Sequence, residues 1–162
     1  AEAGRVHHLR EAFGPSLEVV AQALGLSFDA VEAHGEVAFA RRSTPIAAGM
    51  IEAGTVGALR TTVSGMRNGK PLIRFTANWF VTRELDQDWD LRGDGWRLEV
   101  DGAAPLDMQL QFTVAPERKA ATTPGYTAHR AVNAVPYLCA AEPGIRTSVE
   151  LPQIVPDLRE RG

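Results

Sequence analysis

The residues best suited to chemistry near the start of the chain are crowded into ten positions. His7-His8-Leu9-Arg10-Glu11-Ala12-Phe13-Gly14-Pro15-Ser16 brings two imidazoles and a guanidinium up to a Gly-Pro-Ser turn. If a helix opens at Pro15 or Ser16, its first backbone N–H groups and the Ser16 hydroxyl make a ready site for a carboxylate. Arg10 would pair with the same anion in two-pronged geometry. His8 is the group placed to move a proton, and Gly14 and Pro15 shape the turn. An amphipathic helix followed by an ordinary cap explains the same residues without a ligand. A second locus is His129-Arg130-Ala131-Val132-Asn133-Ala134-Val135-Pro136. Asn133 lies three residues before a proline that frees backbone carbonyls, so its carboxamide is placed either to read a ligand amide or amine or to satisfy the broken ladder.

Other chemistries lack their parts. The histidines are His7, His8, His34 and His129, and no C-x-x-C or H-x-x-x-H occurs. Sequential residues such as His7 and His8 point about 100° apart on a helix and cannot chelate as an i, i+4 pair does. Cys139 sits in Tyr137-Leu138-Cys139-Ala140-Ala141, an apolar setting that reads as a buried, inert thiol. There is no G-x-S-x-G serine, no P-loop and no G-x-G-x-x-G between a strand and a helix, so no residue here is assigned to a dinucleotide or a metal. Trp79, Trp89 and Trp96, with Phe75 and Phe80, read as core and subunit-interface material, since no basic residues interleave them as on a nucleic-acid platform.

The elements that must position these groups follow from periodicity. Val6, Leu9, Arg10 and Phe13 have helical spacing, Gly14-Pro15 interrupts it, and Leu17, Val20, Ala21 and Leu24 share one face of a second helix ended at Gly25. After Asp29 the period becomes two, from Val31 to Ala40. A short strand is expected at Ile46–Met50. Asn68-Gly69 between the alternating runs Leu59–Met66 and Leu72–Trp79 predicts a hairpin, because both turn residues tolerate positive φ. Trp96–Val100 and Met108–Val114 give two more strands. A polar loop over Ala115–Gly125 should precede a helix over Tyr126–Ala141, kinked or restarted at Pro136. This makes an α+β domain with a mostly antiparallel sheet of about five strands between N- and C-terminal helices. Its segments are a helical one over 1–25, the sheet over 28–114, a helix over 126–141 and an irregular tail over 145–162.

With 162 residues the chain is long enough for one domain with a core of its own. A hydrophobic fraction of 44% against 23% charged residues argues for a globular protein rather than a disordered one. Seventeen basic against 20 acidic residues and no long basic run argue against a nucleic-acid or membrane-surface partner. No apolar run has the roughly 18 residues of a membrane span. A single cysteine fits the reducing cytoplasm. Ala1 in place of Met suits a piece of a longer protein as well as removal of the initiator.

Phe13-Gly14-Pro15-Ser16-Leu17, leading to Ala23-Leu24-Gly25-Leu26, resembles the start of the C-terminal domain of 2,4-diaminopentanoate dehydrogenase-like proteins. So do Ile46-Ala47-Ala48-Gly49, Ile51-Glu52-Ala53-Gly54-Thr55-Val56 and Gly95-Trp96-Arg97-Leu98-Glu99-Val100. The most specific stretch is Ala131-Val132-Asn133-Ala134-Val135-Pro136 through Cys139-Ala140-Ala141 to Pro143-Gly144-Ile145. The resemblance implies a two-domain NAD(P)-dependent oxidoreductase, laid out like dihydrodipicolinate reductase. An N-terminal Rossmann domain of the same protein would bind NAD or NADP. The present domain would shape the pocket for a small amino or oxo acid and build a homo-oligomer. His7-His8 and Pro15-Ser16 keep the mutual spacing of the His-His and Pro-Ser of the reductase motif. Glu11 stands where that motif has lysine, Phe13 where it has aspartate and Leu17 where it has glycine, so its proton donor does not carry over. The competing expectation is a stand-alone ligand-binding or dimerisation module whose aromatic strands pair with a second copy.

Overall fold

Gly14-Pro15 does not break the first helix. In the computed structural model, which describes residues 2–46 and 48–154 and the side chains from His8 onward, α1 runs unbroken from Glu2–Ala23 with Pro15 inside it. Proline removes one N–H and disfavours a helical conformation in the residue before it, chiefly by crowding that residue's Cβ. Gly14 has no Cβ, which relieves the second effect. The first is outweighed by packing, because Leu17 and Ala21 are buried and Leu9 and Phe13 half-buried along the same stripe. Burying a leucine-sized side chain is worth about 1.5–3 kcal/mol. The expected stop at Gly25 is where it should be. Gly25 has φ 68°, Leu26 N donates to Ala21 O at 2.8 Å and Gly25 N to Gln22 O at 3.0 Å, the double closure of a left-handed glycine cap.

Beneath α1 lies a three-stranded antiparallel sheet in the order β1-β4-β5, formed by Ala30–Phe39, Val56–Arg67 and Lys70–Phe80. Between β1 and β4 the chain makes a small hairpin of β2, Thr44–Ile46, and β3, Gly49–Ile51, where one short strand was expected. The Asn-Gly turn forms as predicted, with Asn68 at φ 52° and Gly69 at φ 71°. Asp29 reinforces it by accepting from Asn68 N at 2.6 Å.

The two faces of this sheet differ. Odd-numbered residues of β4 point toward α1: Val63 is fully buried, and Phe13 packs on Phe75 with ring centroids 5.0 Å apart. Gly35 in β1 lets Leu9 approach to 3.7 Å from where a Cβ would stand. The even-numbered face is covered at one end only. There Leu85 seals Ala38 and Ala58, with Phe80, Trp89 and Leu91 packed around them. Arg83 ties that covering segment down by donating to Leu91 O.

The chain divides into two compact units, Ala1–Leu91 and Arg92–Gly162. The second holds a two-stranded ribbon of β6, Gly95–Val100, and β7, Leu106–Gln111, and the helix α2, Lys119–Ala140. Arg97 donates to both carboxylate oxygens of Asp107 across the ribbon at 2.9 and 2.8 Å. Those hydrogen bonds hold the Asp107 carboxyl below the ordinary aspartate range. The predicted loop before the last helix is instead a single 3-10 turn, Pro116–Arg118, leading into α2 seven residues earlier than expected. Phe112 stacked on Tyr126 at 4.4 Å and the Lys119–Asp94 ion pair fasten the start of α2 to the base of the ribbon. Neither Pro124 nor Pro136 ends the helix. Thr123 donates its hydroxyl to Lys119 O at 2.8 Å, one residue before the bond that Pro124 removes. The expectation of α+β architecture with antiparallel pairing holds, with the strands divided among three sheets rather than one.

Candidate functional site

The pleat of β1, β4 and β5 sorts their side chains by parity, and the strand register stacks the even-numbered polar residues in three cross-strand rows. Glu32 lies beside Ser64 and Ser64 beside Arg74. His34 lies beside Thr62 and Thr62 beside Thr76. Glu36 lies beside Arg60 and Arg60 beside Asn78. Within the first unit no described helix packs on this face. The face forms a shallow basin of about 350 Å³ lined by His34, Glu36, Arg60, Thr62, Ser64, Arg74 and Thr76.

Only part of the array is satisfied internally. Arg60 Nε donates to Asn78 Oδ1 at 2.7 Å, and its guanidinium lies 4.3 Å from the centre of the Trp89 ring. Held from two sides, Arg60 forms a fixed wall between the basin and the apolar cover. Thr62 and Thr76 share a hydroxyl hydrogen bond at 3.3 Å, making a flat floor. Among the described residues the side chains of Glu32, His34, Glu36, Ser64 and Arg74 make no hydrogen bond or ion pair. Ser64 stands apart, since it is only 9% exposed and its hydroxyl opens on the basin. The arrangement offers anion-binding donors along β4 and β5 and carboxylates along β1. It can hold and orient a small polar molecule carrying both charges.

The residues singled out from the sequence fall elsewhere. His8, Arg10, Gly14, Pro15 and Ser16 all lie on α1, and the side chain of His7 lies outside the described residues. With α1 continuous, Pro15 and Ser16 are interior positions, so the helix start that would have offered free N–H groups to a carboxylate is not formed. Arg10 and Ser16 are six residues apart, which on a helix separates them by about 9 Å of rise and about 120° of azimuth. His8, Arg10 and Ser16 are exposed, while Gly14 is buried against Val31. Asn133 belongs to α2 in the other unit, half-buried, with no hydrogen bond from its carboxamide among the described residues.

Two further expectations are corrected. Cys139 is exposed rather than buried, on a helix with no buried residue. Of the tryptophans read as core and interface material, Trp79 is 49% and Trp96 62% exposed, while Trp89 packs against the Ala38, Ala58 and Leu85 cluster. Among the described residues no group of three or more His, Cys, Asp or Glu side chains could hold a metal ion. No described helix is long and apolar enough to cross a membrane.

The basin residues were visible strand by strand, as the polar halves of three alternating runs. What assembles them is the pairing of β1 with β4 and of β4 with β5, which alternation within one strand does not carry.

Comparison with known proteins places this geometry in context. Residues 3–159 match the family described as 2,4-diaminopentanoate dehydrogenase C-terminal domain. An amine dehydrogenase of Streptomyces virginiae is 27% identical over 145 residues, which are 86% of this chain and 40% of that protein. The structure of an amine dehydrogenase from Mycobacterium smegmatis superposes with a TM-score of 0.60 at 20% identity, over 87% of this chain and 38% of that one. The chain thus spans about two fifths of the length of the proteins it matches. With all but its first two and last three residues inside the match, the chain belongs to the 2,4-diaminopentanoate dehydrogenase C-terminal domain family.

Proposed function

We propose that this chain is the substrate-binding and oligomerisation part of an NAD(P)-dependent dehydrogenase acting on a small amino or oxo acid. One observation carries the reading: nearly the whole chain matches a dehydrogenase C-terminal domain yet spans only 40% of its amine dehydrogenase relative. The described residues do not fit a dinucleotide. Gly49 and Gly57 lie in strands, Gly54 in the turn between β3 and β4, and Gly93 and Gly95 lead into β6. None joins a strand to a helix as a pyrophosphate cradle requires. An N-terminal Rossmann domain of the same protein supplies the cofactor in this reading, and the nicotinamide provides the hydride chemistry when bound.

The chain's own residues bind and orient. The polar basin is the surface on which a substrate carrying an amine and an acid would be held, a positioning role that lowers the entropic part of a barrier. Arg10, Gly14, Pro15 and Ser16 of α1, His8 as a proton-transfer group and Asn133 of α2 enter the proposal as separate contacts, each to be tested alone. The six apolar side chains on one side of the β6–β7 ribbon, Trp96, Leu98, Val100, Leu106, Met108 and Leu110, are between 42% and 62% exposed. A two-stranded ribbon is marginal by itself, and this apolar side supports a homo-oligomer. A cytoplasmic setting goes with the single cysteine.

Purified full-length protein supplied with NAD+ or NADP+ should generate reduced nicotinamide when small amines and amino acids are added. No absorbance change with any of them would remove the dehydrogenase reading. In the same assay, Arg10→Ala or Ser16→Ala raises KM several-fold if that side chain touches substrate. Unchanged kinetics in both variants takes α1 out of the binding surface.

A further inference from the structure

We infer that the basin on the open face of β1, β4 and β5 binds the carboxylate of a small amino acid, with Ser64 and Arg74 as its anchors. The inference rests on the dehydrogenase reading above and specifies which group of the substrate this domain reads. Ser64 is the sharpest observation. Ser64 is only 9% exposed, lines the basin, and its hydroxyl makes no hydrogen bond among the described residues, so it is left to meet solvent or a ligand there. Its register neighbour on β5 is Arg74, whose guanidinium is likewise unpaired among the described residues. The acid in the same row, Glu32, stands on the far side of Ser64, two strand spacings or about 10 Å from Arg74 across the sheet.

Donors and acids are therefore segregated. The even-numbered positions of β4 and β5 that face the basin hold Arg60, Thr62, Ser64, Arg74, Thr76 and Asn78, with no acid among them. Glu32 and Glu36 lie on β1 at the opposite edge. A guanidinium fork beside one hydroxyl suits a planar carboxylate. The carboxylates of β1 suit an ammonium and oppose a doubly charged phosphate. An α-amino acid laid across the three strands meets both requirements. Arg60 is excluded as an anchor, since Asn78 and Trp89 already hold it. No free backbone N–H groups at Pro15 or Ser16 compete for the carboxylate, because α1 runs through both.

The assignment separates two substrate classes that the matched proteins leave side by side. An amine and 2,4-diaminopentanoate differ in the carboxylate. The test is calorimetric titration of the full-length protein with 2,4-diaminopentanoate and with butane-1,3-diamine, the same molecule without its carboxylate. We expect the wild type to bind the amino acid at least tenfold more tightly than the diamine. Arg74→Met and Ser64→Ala should each erase most of that preference while leaving the diamine's affinity within about twofold. No carboxylate preference in the wild type overturns the inference, as does a preference that survives Arg74→Met and Ser64→Ala. Turnover with NAD+ or NADP+ is measured on the same samples. A carboxylate preference lost with Arg74 but unaccompanied by turnover upholds the site and removes only the dehydrogenase reading.

Discussion

Replacing Gly65 by alanine should lower the thermal midpoint of the β1-β4-β5 unit by about 8–16 °C, corresponding to about 2 kcal/mol. A Cβ at Gly65 would stand 2.2, 2.3 and 2.4 Å from three carbons of the Phe28 ring. Contacts that short are not sustained, so either the ring leaves the sheet or the strand moves. The strand has little room to move, because Gly65 also sits where the β4–β5 register shifts. The pairing passes from Met66↔Pro71 to Gly65↔Ile73, leaving Leu72 as the extra residue of a bulge. Shortening the obstacle tests the mechanism directly. Adding Phe28→Ala to Gly65→Ala should cost much less than the sum of the two single changes. An unshifted midpoint in Gly65→Ala, or strict additivity in the pair, contradicts the proposed clash.

Trp89→Ala should destabilise the same unit by about 3 kcal/mol, whereas Trp89→Phe should cost less than half of that. The indole does two jobs. It packs against the cluster of Ala38, Ala58 and Leu85, and it carries the Arg60 guanidinium on its face. The first contribution comes from apolar area, at the low end of the range for tryptophan truncation because Trp89 is only partly buried. The second adds about 0.5–1 kcal/mol for a cation over an indole near the surface. Phenylalanine keeps most of the packing and part of the cation contact. A loss in Trp89→Phe equal to that in Trp89→Ala would assign the effect to something other than ring packing. The Arg60→Met change isolates the cation term, since it retains an apolar stem against the ring without the charge.

Much of this architecture is legible in the amino-acid sequence. The Asn-Gly turn, the alternating strands and the glycine cap of α1 follow from residues whose backbone preferences act locally. The basin is a different matter. Counting outward from the two-residue turn, Arg67 pairs with Lys70 and Met66 with Pro71, and a continued count sets Ser64 opposite Ile73. That register puts the polar residues of β4 beside the apolar residues of β5, since a slip of one residue reverses every side chain. The bulge beyond Gly65 corrects the count so that Ser64 meets Arg74 and Thr62 meets Thr76. The bulge is a property of the pairing between two strands, so alternation within either one does not reveal it.

The errors in α1 and α2 share a cause. Gly14-Pro15, Pro124 and Pro136 all weaken a helix locally, and all three lie inside one. In α1 the compensating term is explicit, namely the stripe of Leu9, Phe13, Leu17 and Ala21 against the sheet. Once the helix runs through, the imagined anion site at Ser16 has no free donors. The groups that can bind an anion are then those left unpaired on the opposite face of the sheet. Chemistry assigned to a turn was lost with the turn. Chemistry carried by the strands appeared only when their register was known.

In the proposed function this chain holds a substrate and leaves the dinucleotide to another part of the protein. Its most direct test is equilibrium binding of NAD+ and NADP+ to two samples: the full-length protein, and residues 1–162 shown by circular dichroism to be folded. The full-length protein should bind one of the two dinucleotides, and the shorter sample should bind neither while retaining its preference for 2,4-diaminopentanoate over butane-1,3-diamine. Stoichiometric binding of either dinucleotide by residues 1–162 alone, or oxidation of an amino acid by that sample unaided, would contradict it.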